Sequence, residues 1–335
     1  MQELTHTEKV FSVLDTGAEL LEKEEDVTYL EALAEIGEMI FQGSITKSLN
    51  PELEKKVVPL IDDINTMSNI SKEEYRRAIQ LAVLKGMKEA TQPHHAMTPD
   101  AVSLFIGYLV KKILGYEQLK DKPAVIFDPA VGSGNLLTAV MNQIGAKSNG
   151  IGGEADETLL RLSYVNSNLQ EHSVDLFHQD SVSAPFVDNM DVIISDLPVG
   201  FYPNDDMAVN FKLAADEGHS YVHHLLIEKS LKHIKPGGFL FFIVPNFLFE
   251  TEEAKKLHEF IKSEGIIYSL MQLPKTMFKN EKWGKSILVL RKKKEGIKSP
   301  KQALLVELPS FSNEGALGDM VQRISSWFDE QLKGS

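Results

Sequence analysis

Apolar residues recur at helical spacing through the first 95 residues. Leu30, Leu33, Ile36 and Ile40 form one stripe of the stretch Tyr29 to Phe41, with Glu31, Glu35 and Glu38 between them. That is the pattern of an amphipathic helix. Asn50-Pro51 reads as a helix start, and so does Ser71, followed by Glu73 and Glu74. In each a short polar side chain can cap the first N–H groups, and in the second an acid can reach back to complete a capping box. Neither β-alternation nor a cofactor motif interrupts this region. A helical N-terminal domain over residues 1–95 is therefore expected, suited to packing or self-association.

From Ala124 onward short apolar runs alternate with helical stretches. Expected strands are Ala124–Phe127, Asn149–Gly153, Asp175–His178, Val192–Ser195, Phe239–Val244, Ile266–Gln272 and Ser286–Leu290, with Ala303–Leu308 as a further candidate. Helices are expected at Thr158–Leu169, Tyr221–Ile234 and Glu252–Ser263, and Gly318–Leu332 has the amphipathic pattern of a closing helix. This alternation predicts an α/β domain with a parallel sheet over residues 96–335. The run Arg291-Lys292-Lys293-Lys294 ends a strand and reads as a solvated sheet edge, nucleic-acid contact being the alternative.

Composition narrows the function classes. The apolar fraction of 43% supplies a sizeable core in 335 residues, yet no apolar run is long enough for a membrane span. The N-terminus lacks the basic and apolar regions of a signal peptide, and a cytoplasmic location is expected. The absence of cysteine excludes disulfides, a thiol nucleophile and cysteine-held metals. The formal charge of −13 argues against unaided binding to nucleic acid. The first 40 residues hold 11 acids against Lys9 and Lys23.

The richest chemical signal is Ile126–Leu137, IFDPAVGSGNLL. An apolar strand runs into Asp128, then Gly132-Ser133-Gly134, then a helix starting near Asn135. Glycines at such a turn let the backbone bend and approach a ligand that meets the helix N-terminus. A nicotinamide-dinucleotide fingerprint expects a third glycine where this chain has Leu137, so that reading is disfavoured. Glu154 and Asp156 close the second strand, where an acid accepts hydrogen bonds from ribose hydroxyls. Asp180, after the third strand, is placed to receive an adenine amino group, although a lone acid there is also a common turn former.

The fourth strand ends in Ile193–Pro203, IISDLPVGFYP, and here the likeness becomes specific. The chain resembles the amino-group methyltransferases, especially the N6-adenine DNA methyltransferases related to modification subunits of type I restriction systems. Asp128–Gly134 resembles their DPACGSG-like motif with Val131 in the cysteine position, and Gly152–Asp156 resembles their GxExD motif. Met97-Thr98-Pro99, Lys235–Phe249 and Leu273–Phe278 are similar to further segments, so the likeness covers about residues 90–310.

This resemblance implies a Rossmann-like class I methyltransferase sheet with an N-terminal helical domain, and S-adenosylmethionine as cofactor. The implied cofactor residues are Thr98, Asp128, Pro129, Ala130, Gly132, Gly134, Asn135, Glu154, Ala155 and Asp180. The family's catalytic tetrad is Asn or Asp, Pro, Pro, then an aromatic residue; here it is Asp196-Leu197-Pro198-Val199. Asp196 keeps the side-chain acceptor for the amine, Leu197 can supply the carbonyl acceptor, and Pro198 is retained. Val199 cannot stack on a flipped base, so Tyr202, or Phe201, is the expected substitute.

Adenine N6 of DNA is the implied target. DNA is the candidate partner, reached through a separate recognition subunit or a homo-oligomer formed by the N-terminal domain. The competing readings are a catalytically silent cofactor-binding protein and a methyltransferase of a protein amide or small molecule. His94-His95 and His223-His224 lack a carboxylate at ligand spacing, so no metal site is expected and both pairs are read as structural or solvent-facing.

Overall fold

The computed structural model describes residues 4–89, 97–116, 122–145 and 148–333, and the expected His94-His95 pair lies outside them. Five helices come first: α1 (His6–Glu25), α2 (Tyr29–Gln42), α3 (Pro51–Thr66), α4 (Lys72–Glu89) and α5 (Asp100–Leu114). Their starts follow local chemistry. Thr5 and Thr28 each form a capping box with the glutamate three residues on, Glu8 and Glu31. The Asn50 side chain accepts from Leu53 N, and Ser71 and Glu74 satisfy each other's backbone N–H.

The alternating region follows as β1 (Ala124–Asp128), α6 (Asn135–Ile144), β2 (Ser148–Glu154), α7 (Glu157–Leu169), β3 (Val174–His178) and β4 (Met190–Asp196). Next come α8 (Asp205–Ala208), α9 (Val222–His233), β5 (Ile234–Pro245), α10 (Ala254–Glu264), β6 (Gly265–Gln272), β7 (Lys285–Lys292), β8 (Leu304–Glu307) and α11 (Glu314–Leu332). The eight strands form one sheet in the order β3-β2-β1-β4-β5-β7-β6-β8. The β2–β3, β1–β4, β4–β5 and β6–β8 pairs are parallel, whereas β7 runs antiparallel to both β5 and β6. The sheet is therefore mixed, not wholly parallel as the alternation suggested. No α-helix lies between β6 and β7, only two single-turn 3₁₀ segments, Lys275–Met277 and Glu281–Trp283. Without a crossover helix the chain returns antiparallel.

Two compact units divide the chain. One gathers Met1–Gly107 with Val131–Gly145 and Asn149–His178. The buried core of α1 to α4 takes in Leu159 and Leu162 of α7. The small face of α2 permits this: a Cβ on Gly37 would lie 2.4 Å from Val165 Cγ1. An ion pair from Arg161 Nε to Glu38 at 3.0 Å borders the same contact.

The other unit gathers Tyr108–Ala130, Ala146–Ser148 and Gln179–Ser335. Phe127, Phe239, Phe241, Phe242, Tyr268 and Phe328 are fully buried in it. The basic run expected at a solvated edge begins inside it instead. Arg291 is 4% exposed, donates to Gly237 O at 3.0 Å and to Tyr268 Oη at 3.1 Å, and lies over the Phe239 ring. Because β7 is flanked by β5 and β6, its last residues are interior to the sheet rather than at its rim. No helix among the described residues is long and apolar enough to cross a membrane.

Candidate active site

The glycine turn after β1 is held from several sides. Asp128 is buried and accepts from Ala130 N at 3.0 Å and from Ser195 Oγ at 2.7 Å, which ties the end of β1 to β4. Pro129 is buried beside it and Ala130 is partly exposed. Gly132 and Gly134 have φ of +55° and +80°, a region that L side chains rarely adopt. A Cβ on Gly134 would also strike Ser163 Oγ at 2.7 Å, whereas one on Gly132 would meet nothing within 4 Å. Gly134 is the N-cap of α6 and supplies no side-chain cap. Open space at Gly132 and the uncapped start of α6 fit an anionic ligand group.

Glu154, at the end of β2, accepts from Gly132 N at 2.8 Å, Ala155 N at 2.9 Å and Asp156 N at 3.0 Å. Its carboxylate is thus fixed beside the turn, and Ala155 is exposed next to it. Asn135 is buried: its amide donates to Thr98 O at 3.2 Å and its oxygen accepts from Arg76 Nη1 at 2.7 Å. Arg76 is 0% exposed and also reaches Glu73 and Asp100. No sequence pattern marks this arginine, because a charged residue on a charged helix reads as surface.

The later strands carry the second group of residues expected at the site. Asp180 accepts from Val182 N at 2.9 Å and from the Tyr202 hydroxyl. Burial pushes the Asp180 carboxyl up, but the Tyr202 and Val182 hydrogen bonds outweigh it and hold the group below its ordinary value. Burial and that carboxylate push the Tyr202 phenol up to about 12. Tyr202 is 5% exposed, so the tyrosine expected to stack on substrate is instead turned inward by its bond to Asp180. The Lys229 ammonium donates to Ser181 O, Val182 O and Ala184 O, pinning the segment behind Asp180.

Asp196 ends β4 with its side chain 15% exposed, and Lys285 Nζ at the start of β7 lies 2.6 Å from its Oδ1. The strand order brings this about: Asp196 pairs with Ile243 on β5, and β5 pairs with β7. Leu197 is buried with its N–H on Ile243 O at 3.1 Å, while Pro198 and Val199 are exposed. His223 and His224 are both buried on α9, which removes the solvent-facing alternative. Burial depresses them to about 3 and about 4.

Residues 87–319, which hold the glycine turn after β1, the acid closing β2 and the acid-led loop after β4, match the N-6 DNA methylase family. The chain belongs to the N-6 DNA methylase family. Residues 8–87 match the YtxK N-terminal helical domain. The YtxK protein of Bacillus subtilis strain 168 is 46% identical over 97% of this chain and 98% of its own. A Listeria monocytogenes protein assigned to the class I S-adenosylmethionine-dependent methyltransferases is 39% identical, with a TM-score of 0.88 over 96% of this chain and 99% of its own. The methyltransferase subunit of a type I restriction-modification system from Streptococcus thermophilus shares the fold at 14% identity. Its TM-score is 0.65, over 98% of this chain and 76% of its own.

Proposed function

We propose that this N-6 DNA methylase family protein transfers a methyl group from S-adenosylmethionine to an amino group, with adenine N6 of DNA as the target. The carrying observation is Asp196, a largely buried carboxylate at the end of β4, followed by Leu197-Pro198. The cofactor supplies an electrophilic methyl group. Gly132, Gly134 and the α6 N-terminus, with Asp128, Pro129, Ala130, Thr98 and Asn135 around them, are the residues proposed to hold its amino-acid end. Glu154 and Ala155 are assigned to its ribose and Asp180 to its adenine.

An exocyclic amine is a poor nucleophile because its lone pair is delocalised into the ring. Asp196 and the Leu197 carbonyl would accept its two N–H groups and favour a pyramidal nitrogen aimed at the methyl group. Pro198 shapes the turn that presents that carbonyl, and Tyr202 positions Asp180 through its hydroxyl. Of the ten bases in residues 275–301 seven are exposed, Arg291 being buried and Lys285 and Lys292 partly buried, and these seven lysines support a local phosphate contact in an otherwise acidic chain. The acidic N-terminal helices suit a protein partner, either a second copy or a recognition subunit.

Two features favour a second reading, cofactor binding without transfer: the aliphatic Val199 in the aromatic position, and the Lys285 ammonium on Asp196. One experiment separates the two readings. Labelled methyl from S-adenosylmethionine is followed into DNA, with wild type and Asp196→Ala compared. The leading reading expects transfer by wild type, a loss of roughly a hundredfold or more in the variant, and unchanged cofactor affinity. Transfer that survives Asp196→Ala overturns the mechanism, and cofactor binding with no transfer to any DNA leaves the silent reading.

A further inference from the structure

Phe201 is 60% exposed, five residues beyond Asp196, yet its backbone is fixed on both sides. Phe201 forms an antiparallel bridge with Tyr221, Tyr202 N donates to Ser220 O at 2.8 Å, and Val222 N donates to Gly200 O at 3.0 Å. The loop after Asp196 is therefore zipped to the head of α9. The Tyr221 ring stacks on the Phe201 ring with centroids 4.9 Å apart and planes at 22°. Behind Tyr221 stand the buried rings of His223 and His224, each 5.2 Å away. His219 lies 6.1 Å from Phe201, tilted at 52°, and its Nδ1 is 2.9 Å from Asp205.

One face of the Phe201 ring is stacked on Tyr221 while the ring as a whole stays exposed on a fixed backbone, a geometry that suits a flat partner on the other face. Val199 is aliphatic and Tyr202 is turned inward, so neither can serve. We propose that Phe201, backed by Tyr221, is the ring on which the substrate's purine base lies, replacing the aromatic residue missing from the tetrad. Phe201 touches the base; Tyr221 is a positioning residue that sets the plane of Phe201. This inference rests on the amino-methyltransferase reading with a nucleobase as substrate.

The test uses the full chain saturated with S-adenosylhomocysteine and a single-stranded oligodeoxynucleotide containing adenine. Binding is followed by anisotropy of a label on the oligonucleotide. Stacking is followed by the emission of Phe201→Trp, taken as the difference from wild type, which has Trp283 and Trp327. The new tryptophan is expected to be quenched saturably by the adenine oligonucleotide and not by one with abasic sites in place of adenine. Phe201→Ala is expected to weaken binding about tenfold or more and Phe201→Tyr to restore it, while affinity for S-adenosylhomocysteine stays constant in both. Tyr221→Leu is expected to reduce the quench. Saturated binding without a quench, or unchanged binding by Phe201→Ala, overturns the platform and leaves the methyltransferase reading standing. No binding of the oligonucleotide by wild type also overturns the platform, whereas the methyltransferase reading is decided separately by the methyl-transfer comparison of wild type with Asp196→Ala.

Discussion

Replacing Arg76 with alanine tests how the N-terminal helices support the glycine turn. Arg76 is 0% exposed and makes four hydrogen bonds, two to Glu73, one to Asp100 and one to Asn135. The Glu73 and Asp100 side chains keep 31% and 36% exposure, so water takes over much of their hydration when the guanidinium is removed. Each of those pairs is worth little by itself. Asn135, at 4% exposure, has no such recourse, and a buried oxygen left without a donor costs about 1–3 kcal/mol. The two methylenes lost from a filled interior add about 1.5 kcal/mol. Relief of the guanidinium's own desolvation offsets part of this, giving a net loss of about 3 kcal/mol. Denaturant titration measures it, and a parallel calorimetric titration with S-adenosylmethionine should show weaker binding, because Asn135 begins the helix behind the turn. Arg76→Lys should recover only part of the loss, since an ammonium cannot span three partners in one plane. Stability of Arg76→Ala within 1 kcal/mol of wild type, a threshold set below the estimated cost of one orphaned oxygen, would refute the reasoning.

Lys285→Met leaves the Asp196 carboxylate without the ammonium at 2.6 Å, and a loss of about 1–3 kcal/mol is expected by denaturant titration. An unchanged midpoint would mean that the pair contributes nothing to the fold. Acid should also destabilise the protein, because burial depresses His223 to about 3 and His172 and His224 to about 4. The unfolded chain takes up these protons near pH 6.5 and the folded one does not, so stability is complete above about 6.5 and falls as the pH drops toward 4, by about 1.4 kcal/mol per unit for each group. Denaturation curves from pH 7 to pH 4.5 check this; a flat profile would contradict it, and His223→Phe should make the slope shallower.

Helical and strand periods made most of the elements legible, because amphipathic stripes and buried runs repeat with the geometry of the backbone. The turn at Gly132–Gly134 was legible because positive φ demands glycine. Strand direction was not: a run buried on both faces reads the same either way, so the reversal of β7 emerges only from its pairing. Charged residues misled for a related reason. Arg291 and Arg76 look like surface in a polar stretch, yet both are buried among partners that are distant in sequence. Lys285 and Tyr221 carry no motif, and their relation to Asp196 and Phe201 depends on strand order and on the zipped loop. Tyr202 stands in the loop read as a site, but its inward bond to Asp180 cannot be read from spacing.

The claim on which the rest depends is that the acid closing β2 grips the ribose of S-adenosylmethionine. Glu154 is already fixed by three backbone N–H groups, at 2.8, 2.9 and 3.0 Å, so its carboxylate is preorganised. Calorimetric titration of S-adenosylmethionine into wild type and Glu154→Ala tests this most directly. Wild type is expected to bind one cofactor per chain. The variant is expected to lose about 1.5–3 kcal/mol for each charged hydrogen bond removed, at least a tenfold rise in Kd. Equal affinity in the two proteins would remove Glu154 from the site, and no binding heat with wild type at any accessible concentration would contradict the account as a whole.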